Sequence, residues 1–268
     1  MSDLLRFSIA AWSAWAPGLT DAAAWRAWAL APTLPAGPER PELPSFPPLL
    51  RRRAERLARM ALFTAQELRA AESVPMIFAS ARGEIGRGLQ LLQELAREGR
   101  VSPGPFSLSV HNAVAALDSI AHGDKGNYSA IAAGAESAEA ALVEACGLLA
   151  DGHSQVLVTV YDEVLPEIYR EFADEPHGAF AWSWLIVAPD GLSTMTVNCS
   201  DPVGASLRAN NAAFDQPRSR ASALPQEPAT HPQAVLPHAL DVLRYYLSND
   251  TTLSHDGPHH RWTWSRTA

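Results

Sequence analysis

The sequence predicts an α/β fold on a mixed sheet. Strand-like runs alternate with helical periods along the chain, the pattern of layered α/β domains. Val156–Val160 is a continuous, almost wholly β-branched run, as expected for a strand covered on both faces. Ala135–Ala150 reads as a buried helix whose small residues, Ala138, Ala141 and Ala145, allow close packing against neighbours.

Leu5–Trp12 reads as the first strand, and Pro17-Gly18 turns the chain. Asp21 can cap a helix over Ala22–Leu30 with Trp25 and Trp28 on one side. Pro32, Pro35, Pro38, Pro41, Pro44 and Pro47 then recur every third residue, the polyproline II repeat. This proline-rich strap, residues 31–48, reads as a stiff connector or as a recognition segment. In Leu49–Ala71, Leu57, Met60, Ala61, Thr64 and Leu68 share one helical face, and Arg51, Arg52, Arg53, Arg56 and Arg59 lie on its other side. Val74–Ser80 is a short buried strand, followed by Gly83, Gly86, Gly88 and a helix over Leu89–Glu98. Phe106–Ile120 contains an amphipathic stretch, and Ser129–Ala133 is short and apolar. Ala179–Ala188 and Leu192–Asn198 read as paired strands turned by Pro189-Asp190-Gly191. Residues 201–237 read as a loop-rich insertion. Ala239–Leu247 is a short helix, and Arg261–Arg266 alternates like a final strand. The expected organisation is a single domain over residues 1–268.

The chain has 268 residues, 47% hydrophobic and 19% charged, long enough for a substantial core and unlike a disordered chain. Its 29 acidic and 21 basic residues leave a net charge of −8. That argues against nucleic acid or an anionic membrane as the main partner, since both need a positive field. Two cysteines, Cys146 and Cys199, make no disulfide framework. With no signal-peptide pattern and no spanning apolar stretch, the expected location is cytoplasmic.

Local motifs for chemistry are weak. Gly152-His153-Ser154-Gln155-Val156 looks like a hydrolase elbow, but helix precedes it and strand follows, the reverse of what an exposed nucleophile needs. An acyl-thioester serine hydrolase or acyltransferase using Ser154 remains the alternative. Cys146 sits late in its helix, where the dipole disfavours a thiolate. His255, His259 and His260 with Asp256 match no closed zinc spacing, and with Gly and Pro between them they read as a solvated loop. Gly83, Gly86 and Gly88 form no dinucleotide or phosphate motif. No cofactor and no metal are expected.

The stretch from Gly99 to Glu163 is more informative. Val101-Ser102-Pro103, Asn112-Ala113-Val114-Ala115, Gly123–Gly126, Ala130-Ile131 and Gly152–Val160 stand in the order found in the N-terminal half of β-ketoacyl synthases. The chain thus resembles that thiolase-fold family, over about its first two-thirds. The resemblance implies a thiolase-like fold, about one half of a ketosynthase. It puts Ala135 where those enzymes carry a cysteine at a helix N-terminus, with Glu136 beside it. A methyl group cannot form a thioester, and no His-Gly-Thr-Gly-Thr segment occurs. The chain is similar to the short ketosynthase-like proteins of aryl-polyene-type clusters, described as chain length factors. That likeness implies a subunit with no catalytic residues of its own. It would pair with a full-length ketosynthase as a heterodimer and shape the acyl tunnel in aryl polyene, fatty acid or polyketide assembly. Phe106, Leu108, Val110, Asn112, Val114, Asn127 and Ile131 would then face the partner or the tunnel; the alternative is that they are ordinary core. Arg51, Arg52, Arg53 and Arg56 would dock an acidic acyl carrier protein, or serve as a solvated face.

Overall fold

The computed structural model describes residues 4–69, 72–191, 193–200, 236–258 and 260–266. In chain order the elements are β1 (Leu4–Trp15), α1 (Ala22–Leu30), α2 (Pro48–Arg53), α3 (Arg56–Glu67), β2 (Met76–Ala79), α4 (Ile85–Glu98), α5 (Pro103–Ser107), α6 (Ala113–His122) and β3 (Tyr128–Ile131). A 3-10 turn, Gly134–Glu136, leads into α7 (Ser137–Ala150). Then come β4 (Gln155–Asp162), a 3-10 segment Glu167–Phe172, β5 (Phe180–Val187), β6 (Thr194–Ser200), α8 (His238–Leu247), β7 (Thr252–Asp256) and β8 (Arg261–Arg266).

All the described strands join one sheet in the order β3-β2-β4-β5-β1-β6-β8-β7. Only β2 with β3 and β2 with β4 pair in parallel; every other pairing is antiparallel. The expected mixed sheet is present, with its parallel part at one edge. That edge strand is β3, where the chain turns into α7.

Two apolar layers cover the sheet. One gathers Ala138, Ala141, Leu142 and Ala145 of α7, Leu240 and Leu243 of α8, and Trp182, Trp184 and Trp264 from the sheet. Ala138, Ala141 and Ala145 are fully buried against it. The other gathers Leu57, Ala61 and Leu62 of α3, Val114 and Leu117 of α6, and Phe78 and Tyr161 from β2 and β4. Successive residues of β4 thus serve opposite layers, and the run 156–161 is buried throughout, as its composition predicts.

Three local readings need correction. The long helix expected over Leu49–Ala71 is two helices, and Ala71 lies outside the described residues. Ala54 and Glu55 take extended backbone between them. The guanidinium of Arg59 stabilises the break, donating to the carbonyls of Ala54 (3.0 Å) and Arg51 (3.1 Å) that helix termination leaves open. Arg59 is therefore buried, at 7% exposure, and does not belong to a solvated arginine face. The strands read on either side of Pro189-Asp190-Gly191 do not pair with each other. β1 lies between β5 and β6, and Ser8 of β1 donates to Asp190 in the connection (2.9 Å). Leu192, and residues 201–235 of the expected insertion, lie outside the described residues. Lastly, the segment read as a solvated histidine loop contains strand β7, paired along its length with β8.

Candidate functional site

The end of β3 and the start of α7 form a strand-to-helix junction. Gly134 takes a left-handed φ of 58°, which a side chain would disfavour, and starts the turn. Ser137 ties it, accepting from the Ala133 amide (3.0 Å) and donating to the Gly134 carbonyl (2.7 Å). Ala135 is half-buried on this turn. Glu136, next to it, is buried. Its carboxylate accepts from the His260 amide (3.2 Å) and pairs with His260 Nδ1 (3.0 Å). Gly257 lies so close to that carboxylate that a Cβ there would collide with it.

Three residues further along, Glu139 is fully buried. Its Oε1 accepts from Trp264 Nε1 (3.0 Å) and pairs with His238 Nε2. The His238 amide donates to Glu175 (2.7 Å), and the His255 ring stacks on the His238 ring, centroids 3.4 Å apart and planes 11° from parallel. Charge follows this geometry. Burial opposes charge on both Glu139 and His238, but each favours the charged form of the other. The carboxyl is held below its usual range and the imidazole above. Burial and the neighbouring His238 charge lower His255 to about 4. The carboxylates of Glu136, at the N-cap of α7, and Glu139, in its first turn, also suit the positive end of its dipole. Among the described residues, no group of three or more His, Cys, Asp or Glu is arranged to hold a metal ion.

The other predicted residues fall into two places. Phe106 and Val110 are exposed, at 58% and 43%, as are Asn112 and Asn127. Leu108 and Ile131 are half-buried. Val114, at 1% exposure, lies in the core beside Leu57 and Leu117. Arg52 and Arg53 are exposed and, with Arg87, Glu55, Pro105 and Leu108, line a cleft of about 330 Å³. Arg51 reaches back to the Leu43 carbonyl, and Arg56 pairs with Glu163, so both are partly committed inside the chain.

Ser154 is exposed on the turn before β4, at the N-terminal end of that strand. A nucleophile elbow needs the opposite end, so the hydrolase alternative lacks its geometry. Burial pushes the Cys146 thiol up to about 11, which disfavours the thiolate that a nucleophile needs.

Sequence reasoning missed the Glu136/Glu139 pairing with His238, His255 and His260. The signal available was Thr252–Asp256, a run that could pair with Arg261–Arg266 across a Gly257-Pro258 turn. Nothing local indicated what the imidazoles would meet.

A mixed sheet whose parallel edge strand feeds a buried helix is the architecture of thiolase-like ketosynthases, and solved structures bear this out. Across 98% of this chain and 100% of the matched one, at 26% identity and a TM-score of 0.76, it is similar to a chain in the ketosynthase (ApeO) in complex with its chain length factor (ApeC) from Xenorhabdus doucetiae. The ishigamide ketosynthase/chain length factor matches over 74% of this chain and 68% of the other, at 18% identity and a TM-score of 0.57. A β-ketoacyl synthase from Burkholderia phymatum STM815 matches over 80% and 66%, at 14% identity and a TM-score of 0.56. None of the curated proteins matches the chain. The family model for the β-ketoacyl synthase N-terminal domain matches residues 25–265. The chain belongs to that family.

Proposed function

We propose that this protein is a chain-length-factor-type subunit: it pairs with a full-length ketosynthase, shapes the partner's acyl tunnel in aryl polyene, fatty acid or polyketide assembly, and performs no condensation itself. The observation that carries this reading is the strand-to-helix junction. In this reading Ala135 takes the place of the family's nucleophile, and the neighbouring Glu136 is buried with its carboxylate engaged by His260. An acyl thioester needs a sulfur there, and a developing oxyanion needs donors free of a fixed negative charge.

The partner-facing side of this reading is supported by exposure. Among the described residues β3 ends the sheet with one backbone edge unpaired, a natural site for strand addition. Phe106 and Val110 are exposed large apolar residues, as are Leu92, Ile168 and Phe172. Leu92 and Leu89 share a second cleft, of about 280 Å³, with His111 and Tyr169. In this reading Phe106, Leu108, Val110, Asn112, Asn127 and Ile131 meet the ketosynthase, and Val114 supports them from beneath. The exposed Arg52 and Arg53, joined by Arg51 and Arg56, steer an acidic carrier protein on a chain that is otherwise acidic.

Co-expression with a cysteine-bearing ketosynthase tests the proposal. The expected result is a stable heterodimer whose product length shifts when Phe106 or Val110 changes size. Phe106→Asp should weaken the pairing at least tenfold by placing a charge in a dry contact. A chain that stays monomeric beside such a ketosynthase, or that accumulates a covalent acyl adduct by itself, would overturn it.

A further inference from the structure

We propose that the carboxylate–imidazole pairs Glu139–His238 and Glu136–His260, with His255 stacked on His238, form a proton-sensitive latch that holds the C-terminal segment, residues 236–266, over the start of α7. This is a property of the chain alone and stands apart from any pairing with a ketosynthase.

The segment comes back to the junction from far along the chain. His238 and Glu139 are 99 positions apart, His260 and Glu136 are 124 apart, and Trp264 and Glu139 are 125 apart. All three contacts end on two carboxylates one helical turn from each other. α8 packs on the 3-10 turn as well as on α7, and Gly257 closes against Glu136 with no space for a side chain. The C-terminal segment therefore covers the junction, and these contacts are the polar part of the cover.

The charges facing the latch come from every element around it. Glu136 and Glu139 face it from the junction and α7, His238 and Asp241 from α8, and Glu175 from the loop before β5. His255 and Asp256 face it from β7, and His260 from the start of β8. Arg261 is engaged by Asp256 at 2.8 Å. The one imidazolium these carboxylates hold deeply buried is His238. A second proton, on His255, would place two positive rings 3.4 Å apart, and His255 Nε2 is buried with no hydrogen-bond partner among the described residues.

The sign of the response follows. His255 takes a proton at about 4 in the closed form and near 6.5 when the segment is released. Its contribution is complete above about pH 6.5 and is lost as the pH falls towards 4. His238 works the other way: its raised value makes its contribution complete below about pH 6.5 and lost only on alkalinisation through that raised value. Glu175, raised by burial, favours the closed form as the pH falls and offsets part of this loss; the latch is closed around neutrality and loosens on acidification through His255.

Hydrogen exchange on the full chain, corrected for the intrinsic pH dependence of amide exchange, reads this out. Between pH 7 and pH 4.5, peptides from 236–266 should lose protection at least tenfold more than peptides from β2 and β4. His255→Phe, which keeps a ring in the stack and cannot be protonated, should abolish that excess loss. Uniform loss across the sheet, or an unchanged profile in His255→Phe, would overturn the latch. Should that variant not fold, NMR titration of the histidines in the unmodified chain decides: His238 titrating above and His255 well below the ordinary imidazole value supports it, and ordinary values for both overturn it.

Discussion

A few polar side chains decide where this chain can and cannot vary. Arg59 is one. It ends α2 by capping its last carbonyls, and it also reaches the Pro41 carbonyl of the proline-rich strap. Arg59→Ala would leave those buried acceptors unsatisfied, at a cost of about 2 kcal/mol in urea unfolding. Arg59→Lys should recover only part, because an ammonium lacks the planar fork. Glu139 is the other. Glu139→Ala strands His238 and the indole N–H of Trp264 in the core, with an expected loss of about 3 kcal/mol by the same measurement. Neither role was visible in the sequence, where Arg59 looked like one more member of an arginine face and nothing local set Glu139 apart. A side chain's neighbours decide whether its charge is solvated or enclosed, and those neighbours come from other elements.

At the scale of elements, α7 is the most predictable piece. Its alanines advertise close packing, and Ala138, Ala141, Leu142 and Ala145 are all buried against the sheet. Enlarging one should therefore overfill the layer. Ala141→Leu is expected to cost about 1–3 kcal/mol, measured by denaturant midpoint, with no gain from the added apolar area. By contrast, Ser154→Ala, on the exposed turn before β4, should change stability by less than about 0.5 kcal/mol. Helix α1 was equally legible: Asp21 accepts from the Ala24 amide at 2.9 Å, and Trp25 and Trp28 are buried on one side. The failures at this scale share a cause. The break at Ala54 and Glu55 carries no glycine or proline to mark it, and the helical period runs through it unbroken. The pairing of β5 and β6 looked secure because a turn signal joined them, yet turn chemistry cannot say that a third strand will lie between.

Across the whole molecule, buried ionisable groups pull the pH response in opposite directions. Asp162, at the end of β4, accepts from Ser80 Oγ and from the Ala81 amide, but burial still raises it to about 6. A carboxyl raised in the folded state favours folding as the pH falls from about 6 towards 4, while His255 loses its contribution over the same range. Burial raises Glu84 too, to about 7, so global stability should hold or rise between pH 7 and pH 5 even as the C-terminal segment loosens. Asp162→Asn removes one part of that gain, so on acidification its urea midpoint should shift downward relative to that of the unmodified chain. The same pH dependence in both proteins would show that Asp162 contributes nothing to this gain.

By itself the sequence determined the kind of protein this is: strands alternating with helices, a buried alanine-rich helix, and a methyl group at Ala135. Those features rest on local periodicity, short turn signals and the identity of single residues, all written within a few positions of one another. Tertiary structure alone decided that β1 separates β5 from β6, that Arg59 is buried, and that His238, His255 and His260 converge on Glu136 and Glu139. The carboxylate–imidazole contacts join positions 99 or more apart, and the free energy of a buried charge depends on partners that only the folded chain supplies.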